Sequence, residues 1–215
     1  MTTFYAVLPF ALVCSFVGVG VGLRSLLQLR RHGTTGIVMF RDAGVGMLRD
    51  AGLVALPIVM AAQALCLWLV PGWLEPVRLP AVGRGMAYAC GVALVILATG
   101  WMLAAQFDMG GSWRMGIDRE TRPGLVVDGA FRVCRNPIYA CMLAALLGFV
   151  LLVPTYISAG LCVLTWIGIR LQVAEEEGFL LASYGEAYRQ YAQRVGRFVP
   201  GVGLLRDRQE LDSPN

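Results

Sequence analysis

The feature that most constrains this chain is a series of apolar blocks, each close to the length that crosses a bilayer. A transmembrane helix needs about 20 mostly apolar residues. The five blocks are Thr3–Leu23, Ala51–Val70, Met86–Ala105, Pro137–Val153 and Thr155–Val173. Charged residues make up only 15% of the 215 residues, against about 25% in soluble domains. The first block lacks a preceding cationic segment and a following cleavage site, so it is predicted to be a span rather than a signal peptide.

These blocks predict an all-α, polytopic membrane protein with about five transmembrane helices. Residues 1–105 would form three spans and an Arg-rich cytosolic loop, and residues 106–201 a second region containing the last two spans. Residues 202–215 are charged and are predicted to form a loose tail.

The basic residues predict the orientation of the chain. All 18 are arginine, and the turn between the fourth and fifth spans has none. Only Arg78 and Arg84 lie between the second and third spans. The other sixteen follow the first and third spans or lie from the end of the fifth span onward: Arg24, Arg30, Arg31, Arg41, Arg49, Arg114, Arg119, Arg122, Arg132, Arg135, Arg170, Arg189, Arg194, Arg197, Arg206 and Arg208. The positive-inside rule then predicts a protein of the inner cell membrane with its N-terminus outside and its C-terminus in the cytosol.

The sorting of arginines to one side of the membrane accounts for the net charge of +4, so no nucleic-acid partner is expected. His32 is the sole histidine, which excludes a His-based metal site. Five of the six cysteines lie inside spans and are expected to be small packing residues. Cys134 lies beside the candidate site described below, where a reactive thiol stays open.

The last two spans are predicted to form a tight hairpin, because only Pro154-Thr155 separates them. Asn136-Pro137 is typical of a helix start, since Asn is a good N-cap and Pro suits the first helical position. The hairpin returns the chain to the side it left. Arg135 and the cluster Glu175-Glu176-Glu177 are therefore expected to lie close together at the cytosolic surface.

Three adjacent carboxylates are predicted at the C-terminal end of the fifth span, where the helix dipole disfavours anions. One interpretation is a solvated helix exit paired with Arg170 or Arg135. The other is a site for a cationic or ammonium-bearing ligand, because ionisable groups at a membrane boundary often mark function.

Two further segments flank the hairpin. Residues 125–132 are predicted to be short and extended. Apolar and aromatic residues with helical spacing predict an amphipathic cytosolic helix lying back on the bundle: Leu180, Leu181, Tyr184, Tyr188 and Tyr191.

Residues 110–200 resemble the isoprenylcysteine carboxyl methyltransferase family of membrane methyltransferases and, more distantly, the phospholipid methyltransferases. The resemblance rests on an ordered series of short motifs: Leu125-Val126, Gly129, Phe131-Arg132, Arg135-x-Pro137-x-Tyr139, Glu176-Glu177-x-x-Leu180, Gly185-x-x-Tyr188-x-x-Tyr191, Arg194-Val195 and Pro200. One departure concerns Asn136, since the family usually has His there. Asn can donate a hydrogen bond but cannot titrate near neutral pH.

The resemblance implies a membrane enzyme that binds S-adenosylmethionine at the cytosolic face and methylates a lipophilic or isoprenoid-like substrate, with membrane lipids as its surroundings. Glu176 or Glu177 would bind the ammonium group of the cofactor, and Arg135 its carboxylate. The pocket would further include Asn136, Tyr139 and Tyr188, with backbone groups around Leu125, Val126 and Gly129 on the adenosine.

The same resemblance leaves the acceptor open. Arg194 would orient an anionic acceptor such as a carboxylate, which needs no base. An amine acceptor must lose a proton, for which Glu176 or Glu177 is the candidate. Three other classes stay as alternatives: an NADPH-dependent enzyme like the sterol reductases, a small transporter or channel, and a non-catalytic accessory membrane protein.

Overall fold

The computed structural model describes residues 3–40, 44–70, 72–74, 81–115 and 124–205. Helices are the only regular elements in these ranges, apart from one isolated bridge between Ile37 and Met115. The α-helices are α1 Thr3–Val17, α2 Arg24–His32, α3 Val45–Leu69, α4 Ala81–Asp108, α5 Pro137–Leu152, α6 Tyr156–Tyr184 and α7 Glu186–Arg194. A π-helical turn, Gly18–Leu23, joins α1 to α2. Short 3-10 turns lie at Gly110–Ser112 and Gly129–Arg132.

The all-helical prediction is confirmed for the described residues. Four helical stretches are long and apolar enough to cross a membrane: Val7–His32, Gly46–Leu69, Gly83–Asp108 and Tyr156–Tyr184. The fourth predicted block is the shorter apolar helix α5. The tail beyond residue 205 lies outside the described residues, whereas Leu205 donates its N–H to the carbonyl of Ala192 at 3.0 Å.

The tightest packing in the bundle is between α4 and α5, whose backbones meet at Gly91 and Gly148. A Cβ on Gly91 would lie 2.7 Å from the Gly148 carbonyl oxygen. Phe149 is buried beside this crossing. Small residues at a helix crossing let the backbones approach, which is how membrane helices gain packing energy.

The predicted hairpin is present. Thr155 caps α6 by accepting the Ser158 N–H at 3.0 Å. Its hydroxyl also donates to Gln63 Oε1 on α3 at 2.9 Å. The turn is therefore fixed both to its own helix and to a neighbouring one, and α5 and α6 run antiparallel from it.

The prediction that the glutamates end a helix is wrong. The helix α6 has 29 residues, about 43 Å at 1.5 Å per residue, and continues past Glu175–Glu177 to Tyr184. The cluster lies about 30 Å from the start of α6, which is the thickness of the hydrocarbon core. The dipole argument therefore does not apply to these carboxylates, and their place at a membrane boundary stays a prediction.

Three other local predictions also change. The first span does not end at Leu23, because α2 continues it as far as Gly33, whose φ of 73° stops the helix. Residues 129–132 form a 3-10 turn instead of an extended segment. The amphipathic pattern after the glutamates is divided between α6 and α7 by Gly185, whose φ of 53° suits a residue without a Cβ.

Candidate functional site

Glu177 is the centre of an ionic cluster at the open end of the α5–α6 hairpin. Its Oε1 accepts hydrogen bonds from Arg135 Nε and Asn136 Nδ2, both at 3.0 Å. Its Oε2 accepts from Arg197 Nη2 at 2.7 Å and Nε at 3.0 Å. One carboxylate thus pairs with two guanidinium groups from distant parts of the chain.

Arg135 uses all five of its N–H groups on the protein. Besides Glu177, its side chain donates to the carbonyl oxygens of Ala192 at 2.8 Å, Val195 at 2.5 Å and Gly203 at 3.0 Å. Its backbone N–H donates to the Gly196 carbonyl at 2.8 Å. The side chain is buried and fixes the segment after α7 against the start of α5. The prediction that this guanidinium binds a cofactor carboxylate stays a prediction.

Asn136 begins α5 with Pro137 in the first turn, as predicted, but its side chain caps no helix N–H. The amide instead donates to Glu177 and to the Arg197 carbonyl oxygen at 3.1 Å. An imidazole is not required for this bridging role, because only N–H donation is used.

Glu176 lies in a different environment from its neighbour. Its Oε1 accepts from Tyr139 Oη at 2.6 Å and from Gln172 Nε2 at 2.5 Å. Within the described part of the chain, Oε2 receives no hydrogen bond from the protein. Both Glu176 and Tyr139 line a large cavity.

Glu175 faces a third direction. Its side chain is exposed, and its Oε2 lies 3.4 Å from Arg49 Nη1. Successive residues on a helix are rotated by about 100°. Three adjacent glutamates therefore divide into a solvent-exposed carboxylate, one that lines the cavity and one in the ionic cluster.

Two tyrosines of α7 pack under the segment that begins at Leu125. Tyr191 Oη donates to the Phe131 carbonyl oxygen at 2.7 Å. Tyr188 Oη is buried without a hydrogen-bond partner among the described residues. Burial raises the pKa of Tyr188 above its ordinary value, with Glu177 acting in the same direction, so the phenol stays neutral. Because a buried polar atom without a partner is costly, Tyr188 is a candidate to contact a ligand.

The cavity has a volume of about 1060 Å³, at the upper limit of ordinary ligand pockets, which are roughly 300–1,000 Å³. Its polar end is at the mouth of the hairpin. The rest follows one face of α5 along nearly its whole length: Ile138, Met142, Ala145, Phe149 and Leu152. These positions are three or four residues apart, so they share one side of the helix.

Most of the predicted site residues come together at this cavity. Those lining it are Leu125, Val126, Arg135, Asn136, Tyr139, Glu176 and Tyr188. Gly129, Glu177 and Arg194 do not line it. Gly129 has a φ of 61°, and the N–H of the next residue, Ala130, donates to Asp108 at 2.7 Å. Arg194 is exposed, and its Nε donates to the Gln190 carbonyl oxygen at 3.1 Å.

Sequence reasoning missed Arg197 and Gln172. Arg197 is in the same short segment as Arg194, and nothing in the local sequence distinguishes the arginine that reaches the cluster. Gln172 is four residues before Glu176, a spacing that places both on one helix face.

Part of this geometry lies within residues that match a known protein family. Residues 86–187 match the sequence profile of a family described as phospholipid methyltransferase. The similarity to that family covers just under half of the chain. The matched range contains most of α4 and all of α5 and α6, and with them Arg135, Tyr139 and all three glutamates. The predicted resemblance to this group of membrane methyltransferases is confirmed.

Two curated relatives overlap only part of the chain. Protein-S-isoprenylcysteine O-methyltransferase B of Arabidopsis thaliana is 33% identical over 87 residues, which is 40% of this chain and 44% of the relative. The cobalt-zinc-cadmium resistance protein CzcN of Cupriavidus metallidurans is 26% identical over 116 residues, or 54% of each chain. The chain spans about half the length of the curated relatives it matches.

Proposed function

We propose that this protein is a membrane methyltransferase that uses S-adenosylmethionine and methylates a lipophilic acceptor. The observation that carries the proposal is a cavity in the methyltransferase-family region with a carboxylate and two tyrosines at one end and an apolar wall along α5. A ligand with an ammonium group matches the polar end of the cavity, and a ligand with a hydrocarbon chain matches its apolar wall.

The polar end suits the cofactor. Glu176 has one carboxylate oxygen without a hydrogen bond from the described protein, so it can accept from an ammonium or a ribose hydroxyl. Tyr188 supplies an unpartnered buried phenol, and Leu125 and Val126 bring backbone to the same wall. When bound, S-adenosylmethionine supplies an electrophilic methyl group.

Arg135 acts in this proposal as a positioning residue. A direct bond to the cofactor's carboxylate would require its side chain to release one of its five present hydrogen bonds. Its contacts with Glu177 and with the chain after α7 instead hold Tyr188 and Glu176 around one space. Arg194, exposed and away from the cavity lining, is left out of the proposed chemistry.

The apolar part suits the acceptor. The wall from Ile138 to Leu152 covers 15 residues, or about 21 Å between the first and the last, a length that suits an extended hydrocarbon chain. Enclosure by the bundle excludes water from the reacting groups and aligns donor with acceptor. A carboxylate acceptor needs no base. For an amine acceptor, Glu176 is the group placed to take the proton.

The proposed topology has five spans, with α5 as a short fourth span and the N-terminus outside. The site then faces the cytosol, where the arginine-rich segments lie under the positive-inside rule. Exit of a lipophilic product into the bilayer is consistent with this depth.

Cofactor binding is the direct test. Purified protein in a mild detergent is titrated with S-adenosylmethionine and with NADPH by calorimetry. We expect saturable binding of the first only. Glu176→Gln should weaken binding by roughly tenfold or more, because a hydrogen bond to a charged group contributes about 1.5–3 kcal/mol. Glu175→Gln, the adjacent exposed carboxylate, is the matched control and should change the affinity little. No binding of S-adenosylmethionine, or equal losses in both variants, would refute the assignment.

The acceptor class is tested in cells. Cultures with and without this protein are given isotope-labelled methionine, and their lipids are extracted and compared. A labelled lipid that depends on the protein and disappears with Glu176→Gln is the expected result. Identical lipid profiles would contradict a lipophilic acceptor.

A further inference from the structure

A buried glutamine interrupts the apolar wall of the cavity near the cytosolic end of α4. Gln106 is one of the residues that line the cavity, and it is 3% exposed. Its neighbours on this part of the wall are Met102, Met109, Gly20 and Val21, which offer no side-chain polar group that ordinarily binds hydrogen donors. A buried amide in such apolar surroundings needs hydrogen-bond partners, either from the protein or from a ligand.

The orientation of this amide is set by the first span. Gln106 Nε2 donates to the carbonyl oxygen of Gly20 at 2.9 Å. Gly20 lies in the π-helical turn, a rare local geometry that is frequent at functional sites. Rotating the amide by half a turn would place Oε1 against that carbonyl, bringing two acceptors together. With Nε2 engaged by Gly20, the atom of the Gln106 side chain that is left to accept a hydrogen bond is Oε1.

The backbone around Gln106 is held rigidly. The buried Arg24 donates to the carbonyl oxygens of Gln106 at 3.3 Å and Gly110 at 2.7 Å. It also donates to Gln28 Oε1 at 2.7 Å, and its guanidinium lies 4.9 Å from the Trp113 ring centroid. These contacts join α2 to the end of α4, so the amide is fixed before any ligand arrives.

Oε1 of Gln106 is buried and accepts no hydrogen bond from the described protein. A buried acceptor without a donor is unfavourable, whereas the same acceptor paired with a ligand donor gives selectivity for that ligand. We propose that Gln106 recognises an O–H or N–H group on the lipophilic ligand of the cavity. If this ligand is also the methyl acceptor, that identification rests on the proposed function.

Two probes with matched chains separate this recognition from simple hydrophobic binding. Immobilised protein in a sugar-headed detergent binds tritiated 1-tetradecanol, and unlabelled 1-tetradecanol or methyl tetradecyl ether competes for the site. Only the alcohol can donate a hydrogen bond. We expect the alcohol to compete about twofold to twelvefold more strongly, the range for one neutral hydrogen bond.

Gln106→Leu should remove the preference for the alcohol, while Gln63→Leu should keep it. Gln63 is also buried and has an unpartnered Nε2, but it does not line the cavity. The wild-type comparison needs no variant, so it decides the question even if Gln106→Leu does not fold. Absence of saturable binding, equal competition by alcohol and ether, or a preference retained in Gln106→Leu would each overturn the inference.

The experiment contains no cofactor. A protein that prefers the alcohol but does not bind S-adenosylmethionine would refute the proposed function and leave the role of Gln106 intact. The opposite result would refute only the role of Gln106.

Discussion

Replacing Glu177 by alanine would remove the anion that joins Arg135 to Arg197. The Arg135 side chain is 2% exposed, so it would be left as a buried charge with no counter-ion. Breaking a buried ion pair in this way costs about 3–5 kcal/mol. The loss falls on the contact between the start of α5 and the chain after α7, which Glu177 and Arg135 hold together.

Local opening of this segment is the quantity to measure. At about 1.4 kcal/mol per factor of ten, the loss corresponds to an opening equilibrium raised by about 140-fold to 4,000-fold. Trypsin cleavage after Arg194, followed by mass spectrometry on protein in lipid nanodiscs, reports that equilibrium when opening is fast relative to cleavage. We expect Glu177→Ala to be cut faster by at least two orders of magnitude.

Glu186→Ala is the matched control, because it removes an ion pair with Arg189 on the exposed face of α7. The two side chains are 66% and 43% exposed, and exposed pairs contribute about 0–1 kcal/mol. Cleavage should change by less than about fivefold. If Glu177→Ala also stayed within this range, the ionic cluster would not be what holds the C-terminal segment, and the reasoning would be wrong.

Two further predictions concern packing and the thiol beside the site. Gly91→Ala should destabilise the protein by about 1–3 kcal/mol through overpacking, because the new Cβ would meet the Gly148 carbonyl. Gly100→Ala on the same helix is the control, since a Cβ there meets nothing within 4 Å. In thermal unfolding this control should be neutral or slightly stabilising. Burial raises the pKa of Cys134, so little thiolate forms at pH 8, and iodoacetamide should modify it far more slowly than a free cysteine, with the rate still rising above pH 9. A Cys134 alkylation rate equal to that of the free amino acid would contradict its burial.

The hairpin and its polar mouth could be predicted from local signals. Asn136-Pro137 begins α5, Pro154 and Thr155 belong to the turn, and the short connection forces the two ends together. The extent of α6 could not be predicted in this way. Its polar residues after Val173 gave the pattern of a helix exit, yet the helix continues to Tyr184 because packing against α5 and the C-terminal segment stabilises it.

The roles of individual charges were the least predictable part. The sequence does not distinguish Arg135, Arg194 and Arg197 from one another. Only the folded chain shows that Arg135 and Arg197 share Glu177. The partners of Arg135 are between 42 and 68 positions away along the chain. No periodicity reports contacts at that separation.

From the residues alone follow the membrane class, the helical spans, the hairpin and the prediction that Glu176 and Glu177 belong to a site. These follow because an apolar block in a bilayer must satisfy its own backbone hydrogen bonds, which leaves the helix as its solution. The division of labour among the glutamates depends on the packed structure. A rotation of about 100° per residue sends each carboxylate toward a different neighbour, and those neighbours come from helices that meet only after folding.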